Sequence, residues 1–323
     1  MIPGSIDGGF SRIQRSELAV PATSTQFFAK AARGPADSLF LDLEDAVAPS
    51  RRIEARANAV AALNEVDWGA KTVSVRVNGL TTPWAISDII AVARCPRLDM
   101  ILLPKVETAG DVEFVDRLLT GLELEAPRER RLGIEILVET TKGLANVEQI
   151  AASSARLEGI IFGVGDYSIE LENFDTVFGA SNPDYAVLAR ADGTSVRHWN
   201  DQWHFALARI ANACRAYGRR PIDGPFTNYA DPEGFRASCL RARALGFEGK
   251  WAIHPSQVEI ANEVFSPTRA QIDWASAIRA RMEAEAEKGS GAIGLDGVLI
   301  DRAHVKLADK ILRRAALAGT ARP

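Results

Sequence analysis

Three carboxylates crowd one short stretch of the sequence, Asp42, Glu44 and Asp45 in LDLEDAV, and several later apolar runs also end on polar groups. Arg76 and Asn78 close RVNG, Lys105 and Glu107 follow in LPKVE, Glu139 in LVETTKG, Asp166 in FGVGD and His254 in AIHPSQ. If these run ends converge, the carboxylates repel one another, and Arg76 with Lys105 is too little positive charge to offset them. A bound divalent cation is the natural remedy. With no Cys pair and no His pair at ligand spacing, a hard ion, magnesium or manganese, is expected over zinc. Glu139 and Asp166 are the expected metal ligands, because adjacent strand ends bring two carboxylates close and leave positions for water and substrate. The structural alternatives are an ion pair of Glu139 with Lys142 and a loop cap at Asp166. Arg76 would neutralise an anionic substrate or a developing oxyanion, or pair structurally with Glu44 or Asp45.

The elements that must position these groups alternate along the chain. Eight apolar runs read as strands: Leu18 to Val20, Ser38 to Leu43, Thr72 to Val77, Met100 to Leu103, Glu135 to Val138, Gly159 to Phe162, Ile222 to Pro225 and Gly249 to Ile253. Helical periodicity fills the gaps at Gln26 to Arg33, Arg51 to Asn64, Ala85 to Ala93, Ala109 to Leu122, Leu144 to Ser153, Asp201 to Tyr217, Glu233 to Leu245 and Gln257 to Val264. Eight such units predict an α/β fold, a TIM (β/α)8 barrel, whose strands are continuously apolar because both faces are covered. A doubly wound open sheet is the alternative. The first strand is followed by VPATSTQFF, however, which is no dinucleotide fingerprint, and no phosphate-loop signature occurs.

Asp201 and Ser256 are expected as helix N-caps, Gly218 and Gly246 as C-caps. Residues 173–200 read as a long loop that covers or builds a site. A helix ending near Lys288 leads into the Gly-rich stretch from Gly289 to Gly297, which would let a lid move, then a hairpin-like element and a last amphipathic helix. This division gives a barrel over residues 1–285 and a C-terminal lid over 286–323.

Composition narrows the partners. Thirty-eight Lys plus Arg against forty-two Asp plus Glu give a net charge of −4, so no cationic field favours nucleic acid or an anionic membrane. Cys95, Cys214 and Cys239 are odd in number and widely spaced, as buried thiols of a cytoplasmic protein would be. No apolar stretch is long enough to span a bilayer, and the first residues do not read as a secretion signal. Among the four histidines, His204 between Trp203 and Phe205 reads as a packed core or interface residue, and His198 and His304 have no ligand partner near them in sequence. His254, before Pro255, reads as a residue that orients its loop. No serine nucleophile elbow is present.

The runs RSELAVPATS, FLDLEDAV, SVRVNGL, ILLPKVE, LVETTKG, FGVGD, DGPF, GFEGKWAIHPSQ, ANEVFSP and LDGVLIDRAHV together resemble the citrate lyase beta-subunit-like aldolases of the HpcH/HpaI superfamily. Within that family the sequence is most similar to the malyl-CoA/beta-methylmalyl-CoA lyases, from about Arg15 to the last helix. The resemblance implies a lid that completes a neighbouring subunit's site in a homotrimer or homohexamer. It implies Glu139 and Asp166 as magnesium ligands, Arg76 as the group that stabilises a thioester enolate, and Asp301 as the catalytic acid/base on the lid. Glu44 and Asp45 would hold Arg76 or a water in place, and Lys30, Ile253 and His254 would contact coenzyme A. Three departures stand out: Ala22 to Thr25 reads ATST where relatives often have GSRP, Ala19 replaces an aromatic residue, and the loop after Asp166 reads YSIELENF where relatives have small residues.

The implied reaction is reversible carbon–carbon cleavage of malyl-CoA to glyoxylate and acetyl-CoA, or of beta-methylmalyl-CoA to glyoxylate and propionyl-CoA. Its substrates are acyl-CoA thioesters and 2-oxoacids, with neither nucleic acid nor membrane as partner. Alternatives are malyl-CoA thioesterase or malate synthase-like activity, citramalyl-CoA lyase activity, or a non-catalytic regulatory or assembly subunit.

Overall fold

The computed structural model describes residues 12–191, 194–286, 291–295 and 297–320. Eight parallel strands close into a barrel: β1 (Ser16–Pro21), β2 (Ser38–Asp42), β3 (Thr72–Arg76), β4 (Met100–Leu103), β5 (Gly133–Val138), β6 (Leu157–Phe162), then, after an inserted ribbon, β9 (Arg220–Asp223) and β10 (Gly249–Ala252). β10 pairs with β1 to complete the ring. Every expected strand is present. Helices α1 (Phe28–Arg33), α2 (Arg52–Glu65), α3 (Ala85–Ala93), α4 (Ala109–Glu125), α5 (Thr141–Ala145), α6 (Val147–Ala152), α7 (Val164–Glu170), α8 (His204–Ala216), α9 (Pro232–Ala244) and α10 (Pro255–Val264) follow the strands.

Alternation of side chains along a strand explains how one sequence fills the bore and arms its ends. Phe40, Leu102, Leu137, Ile161, Ile222 and Trp251 pack together as the central layer, with Ala19 and Ile253 against them. The position of Ala19 in this packing makes it a bore residue. Two residues further along, the same faces carry Asp42 on β2 and Glu139 beyond β5. Two residues back they carry Ser38, Glu135 and Arg220, all buried. The strand ends are therefore the chemical end, and a second, sealed polar layer lies at the floor.

At that floor, Gln14 donates its side-chain amide to Glu17 and to Glu135, each at 2.8 Å. β6 makes room for the two glutamates of its neighbour with glycines. A Cβ at Gly159 would stand 2.6 Å from Glu135 Oε1, and one at Gly163 would stand 2.2 Å from the Cβ of Glu139. No other residue type fits either place without moving the glutamate.

Several local expectations are corrected. Residues 173–200 are not all loop: β7 (Ala186–Ala191) and β8 (Thr194–Trp199) form an antiparallel ribbon. Its hairpin signal is Asp192-Gly193, which lies outside the described residues. α7 starts directly after Gly163, so Asp166 sits in a first helical turn. The helix expected over Leu144 to Ser153 is split at Asn146. α10 begins at Pro255, so Ser256 is inside the helix and His254 precedes it. Asp201 accepts from Trp203 N at 3.1 Å, ahead of the first hydrogen-bonded turn of α8. Gly218 and Gly246 do end helices with left-handed backbone, φ +67° and +95°.

A second compact unit runs from Glu263 onward together with residues 12–13. It contains α11 (Arg269–Ala286), the hairpin β11 (Ile293–Leu295) and β12 (Val298–Ile300), and α12 (Arg302–Leu317). Ala275, Ile278 and Met282 on α11 pack with Ile300 and Ala308. This shared apolar face draws α11 into the C-terminal unit, whereas the sequence reading gave it to the barrel and placed the boundary at 285. Lys288 and Gly289 lie outside the described residues. Among the described residues no helix is long and apolar enough to cross a membrane.

Candidate active site

Asp42 and Arg76 are register partners on β2 and β3. Arg76 is 4% exposed, and its guanidinium donates from Nε to Asp42 Oδ1 at 2.7 Å and from Nη2 to Asp42 Oδ2 at 2.6 Å. Its Nη1 lies 3.3 Å from both Glu44 Oε2 and Asp45 Oδ2. The guanidinium also stands over the rings of Trp251 and Phe40, at 5.2 and 5.7 Å. Burial opposes its charge, but Asp42, Glu44 and Asp45 outweigh that and raise its pKa, so it is a permanent cation. The sequence reading paired Arg76 with Glu44 or Asp45 and did not single out Asp42. The strand register was the missing signal, because it sets Asp42 directly beside Arg76.

Lys105 gathers the remaining acids. Its Nζ lies 2.8 Å from Glu44 Oε1, 3.1 Å from Asp166 Oδ2 and 3.5 Å from Asp45 Oδ1. Its backbone is left-handed, φ +53°, an uncommon state for a residue with a side chain. In that conformation its N–H donates to Glu139 Oε1 at 2.7 Å. One residue thus touches both expected metal ligands, with its main chain on Glu139 and its ammonium on Asp166.

Burial is the main cause that pushes Glu139 up to about 8, with the charges of Glu44 and Asp166 adding and those of Arg76 and Lys105 opposing. Burial likewise raises Glu44, with Asp45 adding to it. Glu139 does not pair with Lys142, which reaches Glu107 at 2.9 Å on the surface. Asn78 is drawn away from the mouth by Asp88 of α3, which accepts its side-chain amide at 2.6 Å. The acidic ring therefore shrinks to Asp42, Glu44, Asp45, Glu139 and Asp166, with Arg76 and Lys105 inside it. Among the described residues no three acidic, His or Cys side chains are preassembled as a metal cage. The oxygen-only donors and the room kept beside Glu139 by Gly163, where a Cβ would stand 2.7 Å from Oε2, nevertheless suit a hard cation that takes further oxygens from elsewhere.

Lys30 is exposed on α1, and His254 is exposed between β10 and α10. Half-buried Ile253 donates its N–H to Gln257 Oε1 at 2.9 Å. Asp301 belongs to the C-terminal unit, where it caps α12 and accepts from Ala303 N at 2.9 Å. His304 Nδ1 lies 2.9 Å from the same oxygen, and these contacts hold the carboxyl below its ordinary range. Thus His304 does have a partner, three residues away on the first helical turn. Within the chain His204 is exposed and not a core residue, and the buried residue there is Trp203. His198 is a residue of β8 whose side chain lies outside the description. The three cysteines are free and buried, and burial pushes their thiols up.

Comparison with known proteins agrees with the barrel fold. The HpcH/HpaI aldolase/citrate lyase family model matches residues 15–255. The L-malyl-CoA/beta-methylmalyl-CoA lyase of Rhodobacter capsulatus is 42% identical over 95% of this chain and 96% of its own length. The (3S)-malyl-CoA thioesterase of Cereibacter sphaeroides is 35% identical over 93% of this chain and 94% of its own. The crystal structure of CitE from Mycobacterium tuberculosis, in complex with magnesium, acetoacetate and coenzyme A, is 28% identical. It covers 95% of this chain and all of its own, with a TM-score of 0.72. A closed parallel barrel with an arginine and carboxylates at its strand ends, matched along nearly its whole length to these proteins, makes the chain a lyase of the HpcH/HpaI aldolase/citrate lyase family.

Proposed function

We propose that the chain catalyses reversible, magnesium-dependent cleavage of malyl-CoA to glyoxylate and acetyl-CoA, and of beta-methylmalyl-CoA to glyoxylate and propionyl-CoA. The observation that carries this reading is the buried Arg76, gripped by Asp42, in one cluster with Lys105, which touches both Glu139 and Asp166, in a chain 42% identical to a lyase of that name. Magnesium, bound in the CitE structure, would be held here by Glu139 and Asp166 and would supply Lewis-acid polarisation of the 2-hydroxy acid end. The bond that breaks joins the hydroxyl-bearing carbon to the carbon next to the thioester. Asp301, held ionised by His304 and the helix amides, takes the hydroxyl proton as that carbon becomes the aldehyde of glyoxylate. The bonding electrons pass to the thioester oxygen as an enolate, which Arg76 stabilises with a charge that needs no rearrangement. The proton held by Asp301 then returns to the enolate carbon, giving acetyl-CoA. Glu44 and Asp45 keep Arg76 and Lys105 in place.

Asp301 reaches the chemistry, on this reading, from a neighbouring subunit of a cytoplasmic trimer or hexamer, and Lys30, Ile253 and His254 contact the coenzyme A half. The 35% likeness to a malyl-CoA thioesterase supports a second reading, hydrolysis of the thioester. One experiment tests both. Purified protein with magnesium, or with EDTA, is given malyl-CoA, and glyoxylate, acetyl-CoA and free coenzyme A are measured separately. Equal glyoxylate and acetyl-CoA, lost with EDTA, are expected. Free coenzyme A without glyoxylate or acetyl-CoA establishes the hydrolase instead, and no turnover of malyl-CoA overturns both.

A further inference from the structure

The loops after β9 and β10 carry an aromatic pair, in which His254 is already expected at the coenzyme A half and Tyr229 has been given no role. Tyr229 and His254 stack with centroids 4.9 Å apart and planes 20° from parallel, although both residues are exposed. The loops beneath them are fixed. Gln257, 2% exposed, accepts from Ile253 N and donates to Phe226 O, both at 2.9 Å, so one buried amide spans the two loops. Thr227 adds a second anchor, accepting at Oγ1 from Phe178 N at 3.0 Å and donating its N–H to Phe178 O at 3.1 Å.

The edge of the His254 ring is fixed as well. Ser256 N donates to Nδ1 at 3.2 Å, and Ser256 Oγ lies 2.8 Å from the same nitrogen. A backbone N–H cannot accept a hydrogen bond, so a hydrogen on Nδ1 would face another hydrogen. The neutral ring therefore carries its hydrogen on Nε2, on the side turned away from α10.

We propose that Tyr229 is a positioning residue that holds His254 as a fixed Nε2–H donor at the barrel mouth, for an acceptor atom on the coenzyme A half of the substrate. This rests on the acyl-CoA reading above. Stacking and the Nδ1 contacts restrict both side-chain torsions of His254 before any ligand arrives, so binding does not bear that ordering cost. A pair this exposed contributes little to the core, which leaves ligand recognition as the use of its order. β10 also borders β1, whose connection leads to α1 and Lys30, so the donor stands on the same side of the mouth as the expected coenzyme A lysine.

Nitrogen-15 NMR of histidine-labelled protein, with His254 assigned by its loss in His254→Gln, reports the tautomer, and calorimetry with coenzyme A reports the contact. The expected wild-type state is Nε2–H. Tyr229→Phe keeps that tautomer and binds coenzyme A within about twofold of wild type. Tyr229→Leu, with its melting temperature unchanged, weakens coenzyme A about five- to tenfold and raises KM for malyl-CoA alike, the scale of one lost hydrogen bond, while kcat moves less than about twofold. An Nδ1–H ring, or full coenzyme A affinity in Tyr229→Leu, overturns the proposal. Wild-type protein that keeps the Nε2–H tautomer but binds no coenzyme A overturns the acyl-CoA reading beneath it.

Discussion

Asp42 grips Arg76 with both carboxylate oxygens, from register-matched positions on adjacent strands. The pair is buried, and its strength lies in geometry that neither partner keeps alone. Removing one side leaves the other charged and enclosed. Asp42→Ala is therefore expected to lower stability in urea by about 3 kcal/mol, and to cut lyase turnover about a hundredfold because Arg76, proposed to face the enolate, would lose its aim. Wild-type turnover in Asp42→Ala would separate the fork from the chemistry.

Gly163 has no freedom to grow. In Gly163→Ala the new methyl would meet the Cβ and Oε2 of Glu139, so the carboxylate must shift. Titration of manganese by electron paramagnetic resonance is expected to show affinity weakened more than about tenfold. The circular dichroism spectrum should be unchanged.

If Asp301 acts across a subunit boundary, two dead proteins can rescue each other. Asp301→Asn and Arg76→Lys are each expected to lose about a hundredfold or more in kcat/KM. Mixed under conditions that exchange subunits, they should regain a measurable fraction of wild-type activity, because some sites receive an intact Arg76 from one chain and an intact Asp301 from another. A mixture as inactive as its parts would place Asp301 in its own chain's site.

The floor pair predicts how stability follows pH. Burial raises Glu17 well above its ordinary range, with Glu135 beside it raising it further, and burial raises Glu135 too. Groups raised on folding hold protons that the unfolded chain has released, so their contribution is fully present below about pH 4.5. It falls as pH climbs toward their folded values, at about 1.4 kcal/mol per pH unit for one proton. Glu17→Gln removes that titration. The stability difference between wild type and Glu17→Gln should shift against wild type as pH rises, which paired melts from about pH 4.5 upward would show.

What could be read in the sequence divides along physical lines. The strands were legible because each barrel strand is buried on both faces, which makes SLFLD or MILL stand out as an unbroken apolar run. The ribbon of β7 and β8 was not, because AVLARA and TSVRHW lack that signal and only the turn residues announce it. Glu139, Asp166 and Arg76 could be picked out as polar ends of apolar runs. The partnership of Arg76 with Asp42 depends on register, and the double contact of Lys105 depends on a left-handed backbone that its sequence neighbours do not announce. His304 beside Asp301 is a helical i, i+3 relation, and was open to view once that helix start was fixed.

The sealed layer of Gln14, Glu17 and Glu135 beneath the packed waist of Phe40, Leu137 and Trp251 turns the barrel into a cup. Traffic then has one door. In the proposed reaction, a two-carbon acid bound below the bulky thioester would depart only after the coenzyme had moved aside, so release would follow last in, first out. In product-inhibition kinetics that order would make acetyl-CoA the first product to leave and glyoxylate the one that competes for the emptied enzyme.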